Sequence, residues 1–127
     1  MNFVPIAQFL ETASAGTPGK TLFVNEMPGE CKEGVVLLDT YAGTPLDHYL
    51  PGYLRGGFRV AARSTDYARG QALAQTCLAL LTMHQELELP GMLIKLCLPV
   101  AEPRSYRRSV GGYWEFEFEV DINYVNL

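Results

Sequence analysis

"YWEFEFEVDINYV", residues 113–125, alternates large apolar side chains with acids from Trp114 to Tyr124. Successive side chains of a strand point to opposite faces. Trp114, Phe116, Phe118, Val120, Ile122 and Tyr124 therefore share one face, and Glu115, Glu117, Glu119, Asp121 and Asn123 share the other. The first face is core. On the second, neighbouring carboxylates lie roughly 7 Å apart, close to the Debye length of about 8 Å at physiological salt. Their mutual repulsion calls for an offset. One possibility is cross-strand pairing with Arg59, Arg63 or Lys95 on adjacent strands. The other is that the acids face a partner subunit or a passing polyanion.

Working outward, "GFRVAAR" (57–63) sets Phe58, Val60 and Ala62 against Arg59, Ala61 and Arg63, a half-buried strand. Ser64 or Thr65 offers an N-cap and Asp66 a first-turn carboxylate for the helix that follows. Its apolar stripe is Tyr67, Leu73, Ala74, Cys77, Leu80 and Leu81. Gly70 interrupts that stripe and permits close approach of a neighbour. "GMLIKLCLPV" (91–100) alternates again, with Met92, Ile94, Leu96, Leu98 and Val100 on one face. Upstream, Phe3, Ile6, Ala7, Phe9 and Leu10 give a short helix over 3–14. "TLFVNEMP" (21–28) and "GVVLLDTY" (34–41) read as a hairpin turning at Pro28-Gly29. The Gly/Pro-rich residues 42–57 and the polar stretch 101–112 read as loops. Strands arriving in runs predict an α+β fold: a mixed, mainly antiparallel sheet with two main helices packed on one face. Residues 1–127 are expected to form a single domain.

Composition narrows the function classes. With 127 residues and 48% hydrophobic content, the chain can bury roughly two-thirds of its unfolded surface without covalent staples. A net charge of −4 argues against a surface that embraces nucleic acid throughout. Cys31, Cys77 and Cys97 are odd in number and lie in or beside apolar runs, which suggests neither disulfides nor a zinc site. No basic leader precedes the first helix and no apolar run reaches the length of a membrane span, so no membrane partner is expected.

Chemical motifs are few. "SAGTPGKT" has the outline of a phosphate-binding loop, but Ser14 stands where the first glycine belongs, and the segment leaves a helix to enter a strand. The chemistry needs the reverse order. His48 and His84 lack partners at metal or triad spacing, and His84 suits the end of the long helix. No catalytic, cofactor or metal residue is expected. Arg104, Arg107 and Arg108 around Tyr106 form a basic stretch able to meet a phosphate or an acidic protein surface. A different class of function, a small binding or enzymatic domain, would place its site in the 42–57 loop on Asp47, His48 and Tyr49.

The stretch "GFRVAARSTDYARGQALAQTCLALL" (57–81) resembles the phage tail terminator proteins, also described as minor capsid or tail completion proteins. The preceding "GTPLDHYLPGYLRGG" and the closing aromatic strand fit the same layout. The resemblance implies a non-enzymatic structural protein of the bacteriophage virion, without cofactors. It would form a hexameric ring at the head-proximal end of the tail, stopping growth of the tube. Implied partners are the major tail tube protein and a head-completion or connector protein, with phage DNA passing through transiently and unbound. Such a protein is assembled in the host cytoplasm and ends in the virion, at the head-tail joint. Arg63 matches the family's recurrent arginine and, with Arg104, Tyr106, Arg107 and Arg108, is expected at a subunit or partner interface. Glu115, Glu117, Glu119 and Asp121 are the lumen-facing candidates.

Overall fold

A computed structural model of the chain describes residues 1–40, 43–107 and 111–127. The elements run α1 (Val4–Thr12), β1 (Leu22–Val24), β2 (Gly34–Asp39), β3 (Tyr53–Ser64), α2 (Tyr67–Leu80), β4 (Leu87–Leu89), β5 (Met92–Pro99), β6 (Arg104–Arg107) and β7 (Trp114–Asn126). Seven strands form one mixed sheet in the order β1-β2-β3-β7-β5-β4, with β6 also paired to β7. Every pairing is antiparallel except β1 with β2. This is the expected α+β architecture.

β7 organises the sheet. One edge pairs with β3 from Ser64↔Trp114 to Tyr53↔Val125. The other pairs with β6 over Trp114–Glu117 and with β5 over Val120–Asn126. Its alternation is obeyed: Phe116, Phe118, Val120, Ile122 and Tyr124 are buried in the core. Both helices cover this inner face. Ile6 and Leu10 of α1, and Ala74, Cys77 and Leu81 in and just after α2, join the same cluster as Val35, Leu37, Phe58 and Val60. Among the described residues no helix covers the outer face.

α1 starts where the Asn2 side chain accepts the Val4 N–H at 3.0 Å, with Pro5 in its first turn, where no donor is lost. α2 is capped by Asp66, whose Oδ1 accepts the Ala68 N–H at 3.2 Å. The cap is thus Asp66 rather than Ser64 or Thr65. Ser64 instead accepts the Asp66 N–H at 3.1 Å and donates to Glu33 at 3.0 Å. The helix stops at Leu80, so His84 lies beyond its end in the connection to β4. Gly70 packs directly under an aromatic ring. A Cβ built there would sit 2.6 Å from Phe116 Cε2 and 3.3 Å from Ser64 Cβ.

Several sequence expectations are corrected by tertiary pairing. β1 and β2 run parallel, not as a hairpin. The chain turns at Asn25 in the left-handed region (φ 65°), where its N–H donates to Leu37 O at 2.7 Å and its Oδ1 accepts the Asp39 N–H at 3.0 Å. Residues 26–33 then return the chain to the start of β2. β3 begins at Tyr53, inside the expected 42–57 loop, because β7 is long enough to pair Tyr53–Gly57 with Asp121–Val125. Residues 104–107, within the expected 101–112 loop, form β6 against Trp114–Glu117 for the same reason. β4 lacks enough residues to signal itself. In β5 a register shift between Ile94 and Leu96 inverts the later residues. Cys97 therefore faces the core while Leu96 and Leu98 are only half-buried.

Two measurements follow from this packing. Gly70→Ala forces the Phe116 ring to move, at a cost of roughly 1–3 kcal/mol, while alanine's better helix propensity returns at most about 1 kcal/mol. Denaturant titration should show a net loss of about 1–2 kcal/mol. Burial pushes the Cys77 thiol up to about 11 and the Cys97 thiol to about 12, from an ordinary 9.0. A thiol reagent at pH 8 should therefore modify half-buried Cys31 alone until the chain unfolds. The unfolded state loses these two protons first as pH rises above about 9. The stability they contribute is thus complete below pH 9 and declines through pH 9–12.

Candidate functional site

The outer face of the sheet carries the acids of β7, and the structure divides them. Glu115 stands across from Arg63 of β3 and is only 2% exposed. Glu117 lies between Ala61 of β3 and Arg104 of β6 and is bridged to Arg59 at 3.0 Å. That bond is diagonal, because the residue directly opposite Arg59 is Glu119. Half-exposed, this pair contributes well under about 1 kcal/mol. Glu119 and Asp121 are exposed, and neither side chain makes a hydrogen bond or ion pair among the described residues. Cross-strand neutralisation therefore accounts for Glu117, while Glu119 and Asp121 remain solvated carboxylates. Lys95, the third expected partner, is bound to Glu86 at 2.8 Å instead.

At the other end of this face the segment between β1 and β2 folds over the sheet. Arg63, 4% exposed, donates from NH1 to the carbonyls of Pro28 at 3.0 Å and Cys31 at 3.2 Å. Its guanidinium lies over the Tyr113 ring, 5.0 Å from the centroid, and the Tyr113 hydroxyl donates to Gly29 O at 2.8 Å. The arginine at the strand-to-helix junction thus holds a loop distant in sequence. Planar, multiply donating and weakly hydrated, guanidinium suits that buried position better than an ammonium would.

The basic stretch sits in a different setting from the one expected. Arg104, Tyr106 and Arg107 belong to β6, an edge strand, with Arg104 exposed opposite Glu117 and Tyr106 in register with Glu115. Arg108 lies outside the described residues. Between β5 and β6, residues 100–103 bulge away from β7, and the Val100 N–H bonds Glu119 O at 2.9 Å. A recess of about 620 Å³ opens here, its wall formed by Val100, Ala101 and Phe118 with three acids, Glu102, Glu117 and Glu119, and Arg104. Sequence reasoning missed this recess, whose local sign is Pro99 and Pro103 bracketing the three residues Val100, Ala101 and Glu102.

Residues 45–55 form an open recess of about 360 Å³ around Asp47, His48, Tyr49 and Arg55. Asp47, His48 and Tyr49 are all exposed, and the Asp47 carboxylate is occupied by the Tyr49 N–H at 2.8 Å. Among the described residues no cluster of His, Cys, Asp or Glu could hold a metal ion, and no helix is long and apolar enough to cross a membrane.

The sequence profile of the bacteriophage tail terminator proteins matches residues 9–126. The chain belongs to that family. It is accordingly a structural protein of the phage tail, associated with the virion. A chain in the solved structure "Virion of native gene transfer agent (GTA) particle" has the same fold, with a TM-score of 0.68 and 15% identity over 97% of this chain and 95% of that chain. No curated protein sequence matches.

The Arg63 clamp gives a direct test. Arg63→Met keeps the apolar stem but removes two charge-assisted hydrogen bonds, so stability should fall by roughly 2–4 kcal/mol. Amide exchange should accelerate most in residues 29–34. Glu117→Gln should change stability by less than about 1 kcal/mol.

Proposed function

We propose that this tail terminator closes with further copies of itself into a ring, a hexamer, at the head-proximal end of the tail tube. There it ends tube polymerisation and presents its opposite surface to a head-completion or connector protein. In this reading residues 1–127 act as one domain, made in the host cytoplasm. The helix-free outer face, with Glu119 and Asp121, lines the lumen. The observation that carries the lumen assignment is the survival of these two solvated carboxylates on a sheet face where arginines were available to neutralise them. DNA must slide through the joint without being held. Lysine or arginine at such positions would release counterions from the phosphates and bind the duplex, whereas carboxylates repel it.

Ring closure needs heterologous contacts between two different sides of the subunit. The basic stretch of Arg104, Arg107 and Arg108, with Tyr106 among them, supplies one charged side in this reading. Arg63 serves the interface indirectly by fixing residues 26–33 as a rigid surface.

Solution mass measurement and negative-stain images should show rings, alone or on tubes; monomers in both conditions would exclude the reading. Replacing Arg104, Arg107 and Arg108 by serine should weaken assembly while leaving the melting temperature nearly unchanged. Glu119→Lys with Asp121→Lys should leave particle numbers normal and slow DNA passage, measured as genome delivery per particle.

A further inference from the structure

The strap between Val24 and Gly34 joins two parallel neighbours, β1 and β2. Such a crossover usually takes a dozen or more residues and a helix, whereas this one is shorter and contains no helix or strand. It is held less by burial than by hydrogen bonds to its main chain. Glu26, Gly29, Glu30, Lys32 and Glu33 are exposed, and Met27, Pro28 and Cys31 are only half-buried. Within the strap the Cys31 N–H bonds Pro28 O at 3.1 Å. Three of its carbonyls, those of Pro28, Gly29 and Cys31, are gripped by Arg63 and Tyr113. The grip is incomplete, because the buried Arg63 Nε finds no hydrogen-bond partner among the described residues. A segment with little buried apolar area and few backbone bonds opens at a lower free energy than the core beside it.

Tyr113 reaches the strap from a turn of unusual backbone. Gly111 and Gly112 precede it with φ of 88° and 69°, a region that glycine adopts freely and other residues rarely. A Cβ built on Gly111 would sit 2.7 Å from Tyr113 Cε2 and 3.1 Å from its Cδ2. The ring is thus set between this turn and the Arg63 guanidinium, which lies 5.0 Å from its centroid, with the hydroxyl on Gly29 O. We infer that Tyr113 couples the turn to the strap: a displacement at Gly111 moves the ring off Gly29 and Arg63, and residues 26–33 open as a unit while the sheet stays folded. The strap, bonded or released, is the two-state element that such coupling requires. Coupling is reciprocal, so a contact that pins the strap also fixes the turn. A partner gripping this corner of the sheet can therefore change the surface of residues 26–33, with its exposed Glu26, Glu30 and Glu33, without unfolding the core.

Cys31 reports on the strap. Its Sγ lies 3.6 Å from Lys20 O and 3.4 Å from Glu33 O, while the fully buried Cys77 and Cys97 report on the core. The rate of Cys31 modification by a thiol reagent and the exchange rate of its amide are measured on the full chain. Tyr113→Phe, which keeps the ring and removes the hydroxyl, should raise both about three- to tenfold, as expected for one lost hydrogen bond. Gly111→Ala, which touches the strap only through Tyr113, should raise them to a similar degree. The double variant should be no faster than the faster single one. Gly91→Ala is the control: with φ 81° and nothing within 4 Å of a built Cβ, it carries the same backbone strain without displacing Tyr113, and Cys31 should react as in the wild type. Cys77 and Cys97 should stay unreactive in every variant. Wild-type rates in Gly111→Ala, or single effects that multiply in the double variant, would overturn the coupling. Equal acceleration at Cys77 and Cys97 would overturn it too, since the opening would then be global.

Discussion

The structure depends on β7 being satisfied on four sides at once. Its two edges must be hydrogen-bonded along Trp114–Asn126, its inner face must be buried, and its outer face must accommodate a row of acids. β3 is as long as it is because only a strand running from Tyr53 to Ser64 covers one edge. The other edge is covered in two pieces, β5 and β6, and the excess chain between them has nowhere to go but outward. The bulge at residues 100–103 and its recess are thus by-products of matching a divided strand to an undivided one. The helices come last in this hierarchy. α2 reaches the aromatic face closely only because Gly70 lets Phe116 beneath it, and Tyr67 meets Trp114 and Phe116 edge-on with ring centroids 5.1 Å away in each case.

On the outer face the controlling quantity is the cost of placing charge out of water. Near the Arg63 end the face is roofed by the segment between β1 and β2, and there the guanidinium is held at short range by two carbonyls and an aromatic ring. Toward the other end the roof is absent and carboxylates can stay hydrated. The same alternating sequence therefore yields a buried Glu115, a bridged Glu117 and solvated acids at Glu119 and Asp121 within one strand. Position relative to the roof decides among these, not residue type.

This explains which parts were legible in the sequence. Periodicity reported β7, the later half of β3, both helices and the sidedness of the core, because each depends on side-chain alternation that survives in any context. Elements that owe their existence to β7's unsatisfied edge were not legible: β6 and the first turn of β3 lie in Gly-, Pro- or Arg-rich sequence that by itself reads as loop. The direction of β1 was hidden for a related reason. Pro28-Gly29 looks like a hairpin turn, and only the distant Arg63 turns that segment into a crossover lid. Of the candidate site, the sequence set acids against basic residues on neighbouring strands, but it could not show that Arg59 reaches diagonally to Glu117, that Lys95 turns to Glu86, or that Glu119 stays open. The recess beside β6 depends on two strands failing to meet, a relation that no local pattern records.

The sheet's own edges bear on how copies could associate. β1 and β4 are each three residues long and β6 four, too short to template addition of a further strand, and such blunting guards a sheet against open-ended growth. A ring built by strand addition would also fix the angle between subunits through the twist of the sheet, leaving little freedom to close at a set number. Contacts made through side chains of loops and faces leave that angle to side-chain packing, so closure can be selected independently of the fold. A closed assembly is better served by this separation than an open one, because the surface that recognises a neighbour is then not one that can add strands indefinitely.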